Sequence, residues 1–202
     1  MNTTIIINGP SCAGKTTIAK EICKQSKNGF VHLQIDKTGD YYNTIFPNKF
    51  QFVENEVGTE NNDDTLKGLF NNNRLARRKI ITSILLATAK ELLSQNFNII
   101  IDTALDGPDA QEMAEYYMKY LKGYEIKFVG IYCPVEERLR RLKTRDDNLF
   151  LTEDFIRLQT DQYNVFDLCK QFYDAWFDSS QLNGQEIASR ILCSEDLKTS
   201  SR

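Results

Sequence analysis

The fold of this chain is decided by one stretch close to its N-terminus, Thr3-Thr4-Ile5-Ile6-Ile7-Asn8-Gly9-Pro10-Ser11-Cys12-Ala13-Gly14-Lys15-Thr16. The first half is apolar, rich in β-branched residues and followed by a glycine, which predicts a short buried strand. The second half has the spacing G-x-x-x-x-G-K-T, which predicts a phosphate-binding loop where a strand precedes it and a helix follows. We expect that helix to cover residues 14–26.

Each residue type in this loop suits the binding of a nucleoside triphosphate. The glycines let the backbone turn tightly, so that successive N–H groups point at phosphate oxygens. Lys15 would neutralise charge on the β- and γ-phosphates, and the Thr16 hydroxyl would bind Mg²⁺. The following helix directs the positive end of its dipole at the same anion. The sequence therefore predicts ATP and Mg²⁺ as cofactors, with the nucleotide bound by Gly9, Pro10, Ser11, Cys12, Ala13, Gly14, Lys15, Thr16 and Thr17.

Cys12 and His32 are reactive side chains for which a structural role is favoured over a chemical one. A helix N-terminus and a nearby lysine can lower the pKa of a thiol, so a redox role for Cys12 is one interpretation. The favoured one is a small side chain that fits the loop. His32 lies in the middle of a predicted strand with no second histidine in the chain, which favours a structural role over metal binding.

The composition is typical of a globular protein, with 41% hydrophobic and 26% charged residues in a chain of 202. A formal net charge of −3 argues against binding to nucleic acid or to an anionic membrane, because both need positive charge. No apolar run approaches the roughly 20 residues that span a bilayer, and no signal-peptide pattern is present. Five cysteines and one histidine lack the spacing of a zinc site. We therefore expect reduced thiols in a cytoplasmic protein, although export without a cleaved signal would leave the same pattern.

Apolar strands alternate with helices, which predicts a three-layer α/β/α P-loop kinase fold with a five-stranded parallel sheet and a helical lid. Strands are expected at residues 3–8, 30–36, 97–102, 125–132 and 171–177. Helices are expected at residues 14–26, 73–95, 108–121, 134–145, 152–168 and 184–192. We expect one kinase domain over residues 1–195, with an irregular substrate-side flap at 37–68, a lid at 138–152 and a polar tail at 196–202.

A phosphate loop also occurs in GTPases and motor ATPases, but the rest of the chain favours a kinase. A GTPase needs an N-K-x-D element, and the sequence Asn48-Lys49-Phe50-Gln51 lacks the aspartate. A motor ATPase is longer as a rule. Small-molecule kinases place a carboxylate at the end of the second strand, where Asp36 can accept the proton of an incoming hydroxyl. A capping or turn aspartate is the alternative interpretation of Asp36.

Further charged residues complete the predicted site. Asp102 ends the next strand and is a candidate to hold Mg²⁺, with a purely structural role as the alternative. Arg138, Arg141 and Arg145 recur at i, i+3 and i+7 on one helix, where guanidinium groups closing over ATP would stabilise the transferring phosphoryl group. The alternative for these arginines is a solvated basic face. A second cluster, Arg74, Arg77 and Arg78, is interpreted as solvated rather than as a site for an acidic substrate.

Five parts of the chain resemble chloramphenicol phosphotransferase-like proteins. They are the strand and loop Ile5–Thr16, Asp36, the strand end Ile100-Ile101-Asp102, the strand Val129-Gly130-Ile131-Tyr132-Cys133 with its arginine-bearing helix, and Tyr173-Asp174-Ala175-Trp176-Phe177-Asp178-Ser179-Ser180. The resemblance follows the family order over most of the chain. The Gly-Asp-Arg of the family lid is replaced by Thr144-Arg145-Asp146-Asp147-Asn148, and residues 37–68 have no counterpart.

The resemblance implies a reaction class rather than a substrate. It implies ATP-dependent transfer of the γ-phosphoryl group to a hydroxyl of a small molecule, with Asp36 as the base. Alternative acceptors are a nucleoside, a nucleotide-sugar or a protein side chain. A nucleotide-dependent binding module with little turnover is the alternative from another class. No nucleic-acid or membrane partner is expected, and the sequence leaves the oligomeric state open.

Overall fold

A parallel sheet of five strands forms the centre of the computed structural model, which describes residues 2–45, 64–105, 107–145 and 166–193. The strands are β1 (Thr3–Asn8), β2 (Val31–Gln34), β3 (Ile99–Thr103), β4 (Glu125–Tyr132) and β5 (Ala175–Asp178). Their order in the sheet is β2-β3-β1-β4-β5, and every neighbouring pair is parallel. The predicted α/β fold with a five-stranded parallel sheet is confirmed.

Helices cover both faces of the sheet. The α-helices with assigned bounds are α1 (Lys15–Gln25), α2 (Ile35–Ile45), α3 (Asp64–Ser94), α4 (Ala110–Tyr120), α5 (Val135–Arg145) and α6 (Gly184–Cys193), and a 3₁₀ turn covers Lys170–Phe172. One buried cluster packs α3 and α4 against the sheet through Leu86, Met113 and Phe128. The other packs α1 and α6 against the opposite face through Ile22 and Ile187. Burial of these two apolar faces is what fixes the three layers.

The register of the sheet brings the predicted site residues to one edge. Asn8 pairs with Thr103 and Ile7 pairs with Asp102, so the phosphate loop begins beside the end of β3. The carboxyl ends of parallel strands share one edge of the sheet, where ligands bind in open α/β folds. Within the described residues, no helix has the length and apolarity needed to cross a membrane.

The segment predicted to be an irregular flap is helical where the structure describes it. Helix α2 ends at Ile45, and α3 begins at Asp64, nine residues before the predicted start at residue 73. Tyr42 of α2 is 3% exposed, and α2 packs on α3 where Gly39 faces Ile81. Polar residues interrupt the apolar spacing in this segment, so the sequence does not show a helical period. Residues 46–63 of the predicted flap lie outside the described part.

The bounds of three strands also differ from the prediction, and one of them, β3, covers Ile99–Thr103 instead of residues 97–102. β2 ends at Gln34, so Asp36 lies in the first turn of α2 instead of ending the strand, a position that the helix dipole favours for a carboxylate. β5 begins at Ala175, four residues after the predicted start, because the 3₁₀ turn occupies Lys170–Phe172. The predicted loop at 146–151, residues 152–165 of the predicted helix and the tail at 196–202 lie outside the described residues.

Candidate active site

A cavity of about 610 Å³ opens at the carboxyl edge of the sheet, a volume in the range of small-ligand sites. Its walls come from the loop after β1, the start of α2, the end of β3, helix α5 and the loop between β5 and α6. The predicted nucleotide residues that line it are Ser11, Cys12, Gly14, Lys15, Thr16 and Thr17. The others, Gly9, Pro10 and Ala13, are buried behind this wall.

The phosphate loop turns through two residues in the left-handed region. Cys12 has a φ of 59°, and Gly14 has a φ of 91° and stands at the N-cap of α1. The N-cap residue Gly14 has no side chain and makes no side-chain cap hydrogen bond to α1. The amides at the start of a helix and the positive end of its dipole together favour an anion at this point.

The first glycine of the loop is required by a close approach of two strands. A Cβ at Gly9 would overlap the main-chain carbonyl oxygen of Ile131 in the neighbouring strand β4. Because β1 and β4 are held in register by the sheet, neither backbone can move aside without breaking hydrogen bonds. Only glycine fits this position.

Polar contacts hold the ends of three strands together beneath the cavity. Asn8 is 1% exposed, and its Oδ1 accepts the N–H of Leu105 at 2.7 Å. Its Nδ2 donates to the hydroxyl of Tyr173 at 2.7 Å. These two bonds fix the start of the phosphate loop relative to the segments after β3 and before β5. Sequence reasoning assigned Asn8 no role, although it immediately precedes the first loop glycine.

Lys15, Thr16 and Asp102 meet on the floor of the cavity. Lys15 Nζ donates to the Pro10 carbonyl at 3.0 Å, and Thr16 Oγ1 donates to Asp102 Oδ2 at 2.5 Å. Burial by itself would raise the pKa of Asp102, but contacts with His32, Lys15 and Thr16 outweigh it and lower that pKa. Asp102 is therefore a carboxylate at neutral pH.

These residues suit a magnesium ion that is shared with phosphates. Mg²⁺ prefers oxygen ligands, keeps several waters and is commonly held by one or two protein groups beside substrate phosphates. The adjacent hydroxyl of Thr16 and carboxylate of Asp102 supply such a donor set at the edge of the loop. Within the described ranges, no group of three or more His, Cys, Asp or Glu side chains forms a self-sufficient metal site.

Asp36 lines the same cavity from the start of α2. It belongs to the first turn of α2, its side chain is exposed, and it faces the space that Lys15 and Thr16 also line. The structure therefore brings the predicted base and the predicted phosphate-binding residues into one cavity. Its place in a first helical turn also agrees with the alternative interpretation as a capping residue.

The three arginines of α5 have different environments. Arg141 and Arg145 line the cavity, whereas Arg138 is 1% exposed and lies on the buried face of α5 with Leu142. The prediction that Arg138 binds the nucleotide is thus not supported by its position. Burial lowers the pKa of Arg138, because the charged guanidinium loses water there.

Arg141 joins the helix to two loops. Its Nε donates to Glu137 at 2.8 Å within the helix. Its Nη2 donates to the carbonyl of Ser179 at 2.6 Å, and its Nη1 donates to the Ser179 hydroxyl at 3.1 Å. The same Nη1 also donates to the Cys12 carbonyl at 3.5 Å. Hydrogen bonds from Arg140 and Arg141 hold the pKa of Glu137 at about 2. Arg141 therefore links α5 to the phosphate loop and to the β5–α6 loop, while Arg145 makes no hydrogen bond to any described residue.

The loop between β5 and α6 was not assigned to the site from the sequence. Ser179, Leu182 and Asn183 of this loop line the cavity, together with Gly184 at the start of α6. The loop is held rigid because Asn183 Oδ1 accepts the N–H of Glu186 while Glu186 accepts that of Asn183, a reciprocal cap on α6. The resemblance of residues 173–180 to the C-terminal element of the family was the one feature of the sequence that pointed to this loop.

Arg78, which belongs to the second arginine cluster, is not simply solvated. Arg78 Nη1 donates to both carboxylate oxygens of Asp109 at 3.1 and 3.2 Å, and its Nη2 donates to the carbonyl of Ala104 at 2.8 Å. The two charged side chains are only 20% and 11% exposed. Ala104 lines the cavity, so Arg78 fastens one cavity wall to α3.

Arg78→Met is expected to lower the free energy of unfolding by about 3 kcal/mol, because it leaves the carboxylate of Asp109 partly buried without its partner. Lys79→Met is the matched control on the same helix, since its ion pair with Glu112 is 41% and 54% exposed. That control is expected to cost less than about 0.5 kcal/mol. Urea unfolding followed by circular dichroism measures both values, and equal losses in the two variants would contradict this role of Arg78.

The sheet order, the phosphate loop and the carboxylates beside it define the class of protein as a P-loop kinase. The chain matches the family described as chloramphenicol phosphotransferase-like protein over residues 2–195, and it belongs to that family. No curated protein matches the chain.

Solved structures of low sequence identity share this fold. The tunicamycin resistance protein of Deinococcus radiodurans superposes with a TM-score of 0.65 at 16% identity, over 95% of this chain and 94% of that one. A sugar kinase from Janibacter sp. HTCC2649 gives a TM-score of 0.60 at 14% identity, over 98% and 97% of the two chains. Shikimate kinase from Acinetobacter baumannii gives 0.57 at 19% identity, over 95% and 92%.

Proposed function

We propose that this protein transfers the γ-phosphoryl group of ATP to a hydroxyl group of a small molecule. The observation that carries the proposal is the shared cavity, in which Asp36 faces the same space as Lys15 and Thr16. A carboxylate opposite a phosphate loop is the arrangement that phosphoryl transfer to an alcohol requires.

The proposed reaction transfers one proton to Asp36 and breaks one bond of ATP. As the acceptor oxygen bonds to the γ-phosphorus, its proton passes to the carboxylate of Asp36, and the bond from phosphorus to the bridging oxygen breaks to release ADP. Asp36 is exposed in the cavity and accepts no hydrogen bond from a described residue, so its oxygens are open to an acceptor.

The other side chains neutralise and orient the triphosphate. The amides at the start of α1 and Lys15 bind phosphate oxygens, and for this Lys15 Nζ exchanges its contact with Pro10 for the nucleotide. Arg145 lines the cavity, and in the proposed reaction its guanidinium group stabilises the transferring phosphoryl group. Arg141 orients the loops on either side of the nucleotide. Thr16 and Asp102 would hold Mg²⁺, which when bound neutralises charge on the β- and γ-phosphates.

The family and the fold support a small acceptor without naming it. The family description refers to a phosphotransferase of a small molecule, and proteins of the same fold are titled sugar kinase and shikimate kinase. Nucleosides, nucleotide-sugars and protein side chains stay as alternative acceptors. All five cysteines are free, which supports the proposed cytoplasmic location.

The test is ADP release with and without acceptors. Purified protein is incubated with Mg·ATP and a library of hydroxyl compounds, with nucleosides, nucleotide-sugars and a protein mixture as separate arms. We expect at least one small hydroxyl compound to raise ADP release above the acceptor-free rate, and a phosphorylated product to appear by mass spectrometry. Stimulation only by the protein mixture would contradict a small acceptor, and nucleotide binding without stimulation in any arm would favour the binding module.

A further inference from the structure

The only histidine of the chain lies beside Asp102, one of the two proposed metal-binding residues. His32 belongs to β2, and its side chain is 15% exposed. Its Nε2 is buried and makes no hydrogen bond within the described part of the chain. The carboxylate oxygen Oδ2 of Asp102 lies 3.7 Å from this nitrogen. That distance is too long for a hydrogen bond and short enough for a strong electrostatic contact.

Burying a ring nitrogen that makes no hydrogen bond lowers the free energy of unfolding, so such a group calls for a functional explanation. The pairing of β2 with β3 places His32 beside Ile100 and Gln34 beside Asp102, so the ring must extend along the strand to reach the carboxylate. An apolar side chain at this position would pack on the neighbouring core without that cost. The approach of Nε2 to Asp102 therefore indicates a role at the carboxylate.

Thr16 and His32 approach the same carboxylate oxygen of Asp102. Thr16 Oγ1 donates to Oδ2 at 2.5 Å, and His32 Nε2 faces Oδ2 at 3.7 Å. Among the described residues, none donates a hydrogen bond to Oδ1. The carboxylate is thus held from one side and keeps its second oxygen open.

We propose that His32 is a positioning residue that, together with Thr16, fixes Oδ2 of Asp102 and so keeps Oδ1 available to the metal or to a water bound to it. This inference rests on the proposed function, because it assumes that Mg·nucleotide binds beside Asp102. Groups that orient a metal ligand from behind commonly change metal affinity by 10- to 100-fold when they are removed.

A matched pair of variants isolates the N–H group. His32→Gln keeps a side-chain N–H donor of similar reach, and His32→Met has a similar length without a donor. ADP binding is measured by calorimetry at increasing Mg²⁺ concentrations and in EDTA. We expect His32→Met to raise the Mg²⁺ concentration for half-maximal binding about tenfold, and His32→Gln to stay within about threefold of the wild type.

The measurement in EDTA separates positioning from a general structural role. His32 is not among the residues that line the cavity, so ADP binding without Mg²⁺ should be equal in all three proteins. Loss of binding in EDTA and in Mg²⁺ alike would show a structural defect and overturn the inference. Equal Mg²⁺ dependence in the Met and Gln variants would overturn it as well.

A measurement on the wild type does not depend on the folding of any variant. Because His32 is the only histidine, a ¹⁵N-imidazole spectrum of the protein without a histidine tag reports on this ring alone. We expect Nε2 to carry a proton in the Mg·ADP complex and its resonance to shift when Mg²⁺ is added to the ADP-bound protein. A ring protonated only on Nδ1 would face Asp102 with the lone pair of Nε2, could not attract the carboxylate and would overturn the inference. Failure of the wild type to bind Mg·ADP at all would contradict the proposed function instead.

Discussion

Asp36→Asn is expected to lower kcat for phosphoryl transfer by about 10²- to 10⁴-fold, the range associated with a general base. The asparagine keeps the shape of the side chain but cannot accept the proton of the acceptor hydroxyl. The Kd for Mg·ATP should change by less than about twofold, because the loop and Lys15 that bind the triphosphate are untouched. Steady-state kinetics with the acceptor found above and calorimetry with Mg·ATP measure the two quantities.

Asp40→Asn provides the matched control for this change. Asp40 lies one turn further along α2 and is exposed, and among the described residues it pairs with Lys37 at 3.3 Å and does not line the cavity. Its substitution removes the same charge from the same helix and should leave kcat unchanged. If Asp36→Asn keeps most of the wild-type turnover, or if both variants lose activity equally, Asp36 is not the base and is better explained as a residue that stabilises the first turn of α2.

Gly9→Ala is expected to abolish measurable binding of Mg·ATP and to lower the free energy of unfolding by about 3 kcal/mol. The added methyl group would overlap the carbonyl of Ile131, and overpacking of this kind costs about 1–3 kcal/mol even where side chains can yield. Here the opposing atom is backbone in a central strand, so the phosphate loop has to shift. A shifted loop no longer directs its amides at one anion.

Gly39→Ala is the control for the glycine substitution. A Cβ at Gly39 would lie 3.7 Å from Ile81 Cδ1, which is ordinary contact, and the residue is inside helix α2. Alanine is the better helix former by about 1 kcal/mol, so this variant should be as stable as the wild type or more stable. Thermal unfolding and calorimetry apply to both variants. Wild-type nucleotide affinity in Gly9→Ala would contradict the account of the loop.

The features that were correctly predicted from the sequence are those that depend on local patterns. The spacing of Gly9, Gly14 and Lys15 constrains a backbone turn within eight residues, and short apolar strands mark the sheet without knowledge of their partners. The ends of β1 and β3 then follow from parallel pairing, which places Asp102 beside the loop. Each of these inferences uses only neighbours in the chain or in the sheet.

The features that the sequence did not reveal depend on contacts between distant residues. Arg78 pairs with Asp109, which lies 31 positions away, and no pattern within α3 distinguishes it from a solvated arginine. Arg138 and Arg141 share a helix and a charge, but the packing of α5 buries the first and leaves the second at the cavity. Asp36 was placed at a strand end because the helical period of α2 is interrupted by polar residues.

The central claim is that the loop from Gly9 to Thr16 binds a nucleoside triphosphate with its metal. The most direct test is isothermal titration calorimetry of the wild type with Mg·ATP and Mg·GTP, with Lys15→Ala as the comparison. The account predicts saturable binding of Mg·ATP by the wild type at one site, and at least about tenfold weaker binding by the variant, which lacks a charge-assisted contact to phosphate. Absence of heat with both nucleotides from a folded wild-type protein would contradict it.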